Sequence, residues 1–447
     1  MLYKDKKVLV CGMGKSGISA ARLLLRHGAV VTLTDTKAEP EIDAELLADG
    51  RVSTYFGKAP DDIVGNFDIV VLSPGISVYS SFVDVARRAG VAVVGEIEIA
   101  SAVCKARIIA ITGTNGKTTT VSMVGDIMRN FAKSSRVVGN IGIPFCDEAE
   151  DIAPDAFAVA EISSFQLETI AAFRPKISAV LNMTEDHLNR HITMENYIAA
   201  KERIFENQQS EDFCILNYDN DITRKMAAKT RAQVVFFSKE PLDAGVFVQD
   251  GAIFFKWPGC HSRIIDCAEL PFPGSHNLEN ALAAAAIAVT ANVPTDIIAQ
   301  GLRNFRGVEH RQEFVREVRG VRFYNDSKAT NVDSAIIAIA AMPPPIILIG
   351  GGEGKGQDFS GLIEAFSGKV KSFVIIGEAT EQLVKICRAH NFTAYETAAD
   401  MESAVNVAFA RSAEGDCILL SPACASMDMF DNFEHRGQVF KELVMKL

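Results

Sequence analysis

Three glycine-rich loops, each directly after a short apolar run, predict an α/β protein of parallel sheets in three domains. They are Gly12-Met13-Gly14-Lys15-Ser16-Gly17 after Lys7–Cys11, the Ile111–Thr120 string with Gly113–Thr119 after Arg107–Ala110, and Gly350–Gly356 after Ile346–Ile349. The length agrees, since 447 residues correspond to about three domains of ordinary size. The predicted boundaries are 1–97, 98–307 and 308–447.

In the first domain, strand Lys7–Cys11 runs through its loop into a helix ending near His27. A second strand, Val30 to Thr34, ends at Asp35, and a third, Ile69 to Leu72, runs into Ser73-Pro74-Gly75. The pattern G-x-G-x-x-G with an acid at a later strand end fits the dinucleotide fingerprint. Alone it suggests an NAD-dependent oxidoreductase, but a lone match is weak. The physics supports something narrower: a diphosphate on the helix N-terminus, with Asp35 accepting hydrogen bonds from a sugar or base.

The second loop, Gly113-Thr114-Asn115-Gly116-Lys117-Thr118-Thr119, is the most telling string. Glycines let it fold back on itself. Its N–H groups and the following helix N-terminus then converge on one spot, which suits a nucleotide phosphate chain. Lys117 would reach the outer phosphates, and the Thr118 hydroxyl would hold magnesium. The string is shorter than G-x-x-x-x-G-K-[ST], which needs a glycine where this chain has Ile111.

Strands Ala156–Ala160, ending at Glu161, and Ile177–Leu181, ending at Asn182, place polar residues at the carboxyl edge of a parallel sheet. Glu161 offers a hard oxygen that could join Thr118 around magnesium; the bland alternative is an exposed loop acid. Asn182–His191 gathers acids and histidines, and His187 and His191 share a face if the segment is helical. It is not H-E-x-x-H, so zinc proteolysis is not indicated. From pattern alone Lys201, in Tyr197–Phe205, is a solvated helix lysine. Residues 211 to 275 look β-rich, and a helix from Leu278 to about Thr290 packs back on the sheet.

The third domain begins after Phe305-Arg306-Gly307, with strands Ile346–Ile349, Ser372–Ile376 and Cys417–Leu420. Pro343-Pro344-Pro345 breaks the helix before the first of them. With 48% hydrophobic and 23% charged residues, the chain can bury real cores. A net charge of −11 argues against a general binder of nucleic acid or anionic membrane. Any anionic substrate must be held by locally placed Lys, Arg and helix N-termini. Nine cysteines without a C-x-x-C pair or a histidine cluster read as reduced thiols in a cytoplasmic protein. The first residues carry no signal-peptide core, and apolar stretches such as Ala281 to Ala291 fall short of a membrane span.

With these residues placed, the whole chain resembles the Mur ligase family of peptidoglycan synthesis. Gly113–Thr119 looks like the family's ATP loop, which has the shorter glycine spacing. Glu161–Leu167, Asn182–His187, Tyr197-x-x-Ala200-Lys201 and His276-Asn277-x-x-Asn280-Ala281-Leu282 look like its middle-domain motifs. Asn325–Asn331, Gly350–Lys355 and Leu420–Ser426 resemble the D-glutamate-adding branch, as does Asp428-x-Phe430-x-Asn432-Phe433-Glu434-x-Arg436-Gly437. The fold expected is a Rossmann-like N-terminal domain, a central P-loop ATPase-like domain with a parallel sheet, and a C-terminal Rossmann-like domain.

The resemblance implies ATP and two magnesium ions, with UDP-N-acetylmuramoyl-L-alanine and D-glutamate as substrates. ATP would meet Gly113, Thr114, Asn115, Gly116, Lys117, Thr118 and Thr119, with Asn280, Arg311, Asp326 and Lys328 from across a domain junction. Contacts from two domains imply closure on binding. Thr118 and Glu161 would hold the first magnesium, and His187 with a carbamylated Lys201 the second. A carbamate converts a cation that repels magnesium into an anionic oxygen ligand.

The uridine diphosphate would lie near Gly14, Lys15, Ser16, Asp35, Thr36, Ser73 and Gly75. Asn140 and His187 would hold the carboxylate end of that substrate, with Gln166 also against it. Lys328, Thr330, Lys355, Ser426 and the Phe433 backbone would clamp D-glutamate. Asp186 and His187 are candidates for the base. A monomer is expected, with no nucleic-acid partner and no membrane insertion. The competing readings are another Mur-type or folylpolyglutamate-type ligase, an NAD-dependent oxidoreductase, and a non-catalytic ATP-gated binding protein.

Overall fold

The computed structural model describes residues 2–42, 44–271 and 274–447. It divides into two compact units, Met1–Phe305 and Arg306–Leu447.

The first unit carries two sheets. In the first sheet, five parallel strands lie in the order Val52–Phe56, Val30–Asp35, Lys7–Cys11, Ile69–Leu72, Ala92–Gly95. The order reverses at Lys7–Cys11, and ligands bind at such a switch point. Val8, Leu9 and Val10 are fully buried, as a central strand covered on both faces must be. Loop Gly12–Gly17 leaves this strand, and Ser73 Oγ from the neighbouring strand end donates to Gly12 O at 3.0 Å. A Cβ on Gly17 would lie 1.9 Å from Gly12 O, so only glycine lets helix Lys15–Arg26 start this close to the strand.

The second sheet has nine strands, in the order Cys260–Asp266, Ala252–Trp257, Gly245–Gln249, Gln233–Ser238, Phe213–Asn217, Ile177–Val180, Arg107–Thr112, Phe157–Glu161, Arg136–Gly139. It is parallel except for the hairpin strands Ala252–Trp257 and Cys260–Asp266, which with Phe213–Asn217, Gln233–Ser238 and Gly245–Gln249 make up the β-rich segment. Register sets the site: Glu161 stands opposite both Ile111 and Gly139. Helix Lys117–Phe131 packs against helix Ser275–Thr290, which begins three residues before the expected Leu278. Residues 281–288 of the latter are fully buried, mostly alanines that permit close approach.

One continuous core joins the two sheets, with Val8, Leu24, Ile97, Phe145 and Ala110 in the same cluster. Polar groups line the join. Ser19 Oγ donates to Asp147 Oδ1 at 2.7 Å, and Arg26 Nε to Glu150 Oε2 at 2.7 Å. Glu96, buried at the start of helix Glu96–Val103, accepts from Cys146 N at 2.6 Å. Burial pushes this carboxyl up to about 7, and the nearby Asp147 charge adds to the rise, against the Cys146 N–H. The protonated form is favoured in the folded chain. Its stabilising effect is complete below the ordinary value of 4.5 and is lost as pH rises through about 7. Glu96→Gln keeps the acceptor and removes the charge. Its unfolding temperature should exceed wild type at pH 8 and converge with it at pH 5. The gain is at most about 3 kcal/mol, since a tenfold change in proton affinity corresponds to roughly 1.4 kcal/mol.

The second unit is one six-stranded sheet in the order Glu313–Val318, Val321–Asn325, Cys417–Leu420, Ile346–Gly351, Val370–Ile376, Tyr395–Thr397. Only the first pair is antiparallel. Separate apolar clusters cover its two faces. Asn325, Leu420 and Ile349 are in register, so the three loops that follow them leave from one edge. Helix Val332–Ala341 ends before the three prolines, as expected. No helix among the described residues is long and apolar enough to cross a membrane. All nine cysteines are free.

Candidate active site

The loop after Arg107–Thr112 is built on two glycines at positive φ, Gly113 at 151° and Gly116 at 81°. Gly116 caps helix Lys117–Phe131 and directs its first N–H groups outward. The loop is pinned to the neighbouring strand end. Thr114 N donates to Asn182 O at 3.0 Å, Asn115 N to Asn182 Oδ1 at 2.8 Å, and Asn182 Nδ2 to Asn115 O at 3.1 Å. Lys117 Nζ donates to Gly113 O and Thr114 O at 2.9 and 2.7 Å. Asn280 abuts the loop from helix Ser275–Thr290; a Cβ on Gly116 would lie 2.2 Å from its Oδ1. Thr119 follows Thr118 in the first helical turn.

Thr118 Oγ1 donates to Glu161 Oε2 at 2.9 Å, and Asn140 Nδ2 to Glu161 Oε1 at 3.0 Å. Glu161 is buried, not the exposed loop acid of the bland alternative. A hydroxyl and a carboxylate facing each other beside a phosphate loop are hard oxygen donors of the kind magnesium takes. Thr118 and Glu161 therefore fit a magnesium ion.

The sequence pattern misplaced Lys201. It is 2% exposed, not solvated. Its Nζ donates to Gly113 O at 2.8 Å and Thr112 Oγ1 at 3.1 Å, and lies 4.9 Å from the Tyr197 ring. Tyr197, Ala200 and Lys201 form the buried face of helix Met194–Glu202. Burial lowers the Lys201 pKa well below the ordinary lysine value, and the Lys117 charge lowers it further. An amine is not a magnesium ligand. No group of three or more His, Cys, Asp or Glu that could hold a metal occurs among the described residues. A second magnesium therefore does not fit unmodified Lys201.

His187 and His191 do not share a helical face. His187 caps the short helix Leu188–His191 from a left-handed conformation, φ 53°, because the chain turns sharply after Asp186. His187 is 47% exposed, and Asp186 Oδ2 lies 3.5 Å from its Nε2. His191 is buried, with Nε2 at 2.9 Å from Ser164 Oγ and Nδ1 at 3.5 Å from Glu168 Oε1. Both rings nevertheless meet Phe165, at 4.9 and 5.5 Å. Gln166 is 4% exposed, and its Oε1 accepts from Ser163 N and Oγ in a capping box. Its visible part in the site is to hold the Ser163 turn.

Sequence reasoning missed Arg190. It donates to Pro74 O at 2.9 Å, Ile76 O at 3.0 Å and Glu168 Oε2 at 2.6 Å, and covers the Phe165 ring at 4.3 Å. It ties the Ser73–Gly75 turn of the first sheet to the His187 segment of the second. The Glu168 side chain is largely buried, so it demands such a partner, but the sequence alone does not show that burial.

At the first loop, Gly14 and Lys15 are exposed and Ser16 partly so, at the start of helix Lys15–Arg26. Asp35 Oδ2 accepts from Met13 N at 2.8 Å and Oδ1 from Lys37 N at 3.0 Å. Burial raises the Asp35 pKa, but those N–H groups and the Lys37 charge outweigh it and hold the carboxyl below its usual value. Asp35 thus steadies the glycine loop from the second strand's end, with Thr36 and Gly75 exposed nearby in sequence to it and to Ser73.

In the second unit Asp326 is buried, accepting from Ser421 Oγ at 2.8 Å and Gln312 N at 3.1 Å. Burial pushes it up to about 7. Lys328 Nζ lies 5.8 Å from the Phe433 ring, and Phe433 opens helix Phe433–Lys446. Ser426 is buried and Thr330 half-buried. Lys355, at φ 48°, has Nζ 3.8 Å from Glu353 Oε2, and Arg311 is exposed.

Three family domains match in order: the Mur ligase MurD-like N-terminal domain over residues 6–95, the Mur ligase middle domain over 111–288, and the Mur ligase glutamate ligase domain over 310–424. The chain is 45% identical to a UDP-N-acetylmuramoylalanine--D-glutamate ligase of Thermoanaerobacter sp. (strain X514), over 100% of both chains. It is 44% identical to the enzyme of the same name from Caldicellulosiruptor bescii, over 100% of this chain and 99% of the relative. Its fold is that of the UDP-N-acetylmuramate-alanine ligase of Thermotoga maritima, with TM-score 0.58 at 17% identity and 99% of each chain covered. Identity at this level along the entire length makes the chain a member of the Mur ligase family.

Proposed function

We propose that this protein is an ATP-dependent amide ligase that adds D-glutamate to UDP-N-acetylmuramoyl-L-alanine in peptidoglycan synthesis. The relatives' names supply the substrates. The observation that carries the chemistry is the Thr118 hydroxyl held 2.9 Å from the Glu161 carboxylate at the phosphate loop.

An alanine carboxylate oxygen attacks the γ-phosphorus of ATP, ADP leaves, and an acyl phosphate forms. The D-glutamate nitrogen then attacks the carbonyl carbon and loses a proton. The tetrahedral intermediate expels phosphate with its bonding pair and leaves an amide. Thr118 and Glu161 would hold magnesium, which would supply charge neutralisation for the transferring phosphoryl group. The chain's own part is positioning. The first N–H groups of helix Lys117–Phe131 and the Lys117 ammonium take the phosphates, and Asn280 backs the loop. Asn140 and His187 orient the substrate carboxylate. The Asp186–His187 pair is our assignment for the proton acceptor.

A carbamate forms when the Lys201 nitrogen attacks CO2 and releases a proton. Its burial beside Gly113 and Thr112 supports that assignment, because the anionic oxygen so created would make a second magnesium site with His187. The Gly14–Ser16, Asp35–Thr36 and Ser73–Gly75 segments are assigned to the uridine diphosphate. In the second unit we assign Arg311, Asp326 and Lys328 to ATP. Lys328, Thr330, Lys355, Ser426 and the Phe433 N–H are assigned to the two D-glutamate carboxylates.

The test is phosphate release from ATP, magnesium and UDP-N-acetylmuramoyl-L-alanine, with D-glutamate, L-glutamate, L-alanine or a diamino acid added separately. Release with D-glutamate alone supports the reading. Release with another amino acid keeps ligase chemistry and overturns the assignments in the second unit. No release returns attention to the first glycine loop and a dinucleotide.

Arg190→Met removes the tie between the two segments that receive opposite ends of one substrate. KM for the nucleotide sugar should rise about 10-fold, as loss of charged hydrogen bonds worth roughly 1.5–3 kcal/mol allows. KM for D-glutamate should stay unchanged. Steady-state kinetics with each substrate varied checks both.

A further inference from the structure

Arg436 is buried in helix Phe433–Lys446 at 1% exposure. Among the described residues its guanidinium hydrogen-bonds four neutral acceptors and no carboxylate, with the Asp428 charge nearby. Nε donates to Ser327 Oγ at 3.0 Å, Nη2 to Ser327 O at 2.9 Å, and Nη1 to Cys424 O and Ala425 O at 3.1 Å each. Burial lowers its pKa to about 10, which leaves it charged at neutral pH. Such a charge is a poor device for stability, since an apolar side chain of similar size often serves a core better.

The groups it holds are informative. Ser327 lies between Asp326 and Lys328, and its Oγ donates to Phe433 O at 2.8 Å. Cys424 and Ala425 immediately precede Ser426. The third loop meets the same fork: a Cβ on Gly352 would lie 2.3 Å from Ala425 O and 3.3 Å from Arg436 Nη1. One planar cation therefore bridges two segments that leave the same sheet edge and lies close against a third. Lysine, a point charge on a flexible stem, lacks that fork.

We infer that Arg436 is a positioning residue for the amino-acid substrate: it sets the Ser327 and Cys424–Ala425 backbones at the spacing a dicarboxylate needs, and its charge, in no direct ion pair among the described residues, favours a dianion there. The inference rests on the ligase reading above. Arg436 acts through Lys328, Thr330 and Ser426.

Steady-state kinetics of Arg436→Lys and Ser327→Ala, with all three substrates varied in turn, tests this. Arg436→Lys keeps the charge and loses the fork; Ser327→Ala loses only the contacts of one hydroxyl. KM for D-glutamate should rise about 10-fold in the first and about 3-fold in the second, with KM for the nucleotide sugar within about 2-fold of wild type. Equal rises in all three KM values, or a fall in kcat alone, would assign Arg436 to holding the fold and overturn the inference. If Arg436→Lys does not fold, Ser327→Ala decides by the same criterion. If wild type releases no phosphate with D-glutamate, the ligase reading itself falls. An active wild type with an unchanged D-glutamate KM in both variants sinks this inference alone.

Discussion

Lys201→Met is expected to leave a folded protein that ligates at least about 100-fold more slowly, the upper range for loss of a metal-site group. Methionine matches lysine in length and carries no charge. It removes a buried amine whose charged form is disfavoured by burial and by the Lys117 charge, against the weaker pull of Asp186 and Glu161. Gly113 O keeps the Lys117 Nζ donor at 2.9 Å, so no acceptor there is stranded. The unfolding temperature should therefore match or exceed that of wild type. On the carbamate assignment proposed above, activity falls because methionine cannot carry the carbamate oxygen. Thermal unfolding measured beside phosphate release separates the two effects. Intact mass of wild type equilibrated with bicarbonate, under conditions that preserve carbamates, should show the added carboxyl that the variant lacks. A variant of undiminished rate would remove Lys201 from the chemistry.

The second large effect belongs to Gly139→Ala, which should lower stability by about 3 kcal/mol and abolish phosphate release. Gly139 has φ 103° and faces Glu161 across the edge of the second sheet. A Cβ there would lie 2.4 Å from Glu161 O and 3.3 Å from Glu161 N, both backbone atoms of a buried strand. The methyl can be accommodated only by peeling strand Arg136–Gly139 away. That would break the Asn140 N bond to Glu161 O, 2.9 Å, and the Asn140 Nδ2 bond to Glu161 Oε1, 3.0 Å. Gly142→Ala is the control. Its φ is 74° with nothing within 4 Å of the added carbon, so it carries backbone strain of about 1 kcal/mol and no collision. Urea denaturation of both variants should separate them clearly. Equal stabilities would refute the close approach.

Much of the fold was legible because parallel strands are short apolar runs that end in polar or glycine residues. Lys7–Cys11, Ile69–Leu72 and Cys417–Leu420 have the bounds in the structure that their apolar runs predict. Glu161 and Asn182 stand out in the sequence for the same reason. Lys201 was not legible by type, because lysine on a helix is ordinarily solvated. Its four-residue spacing from Tyr197 was the signal, since both lie on the helix's buried face. The His187 turn escaped because helical periodicity says nothing of a left-handed residue that ends it. The roles of Arg190 and Arg436 escaped for a further reason: their partners are mostly backbone carbonyls, which no side-chain pattern announces. The amino-acid assignment came from family resemblance rather than from any periodicity.

The continuous core beneath the first two sheets has an evolutionary consequence. The glycine loops proposed for the nucleotide sugar and for the ATP phosphates share one body, where a substitution in either sheet disturbs the other. The second unit closes its own faces with its own apolar clusters. Its sheet-edge loops are therefore at liberty to diversify. On the assignments proposed above, a lineage could change which amine it accepts by redrafting Thr330, Lys355 and Cys424–Ser426 while keeping the phosphate loop of the first unit.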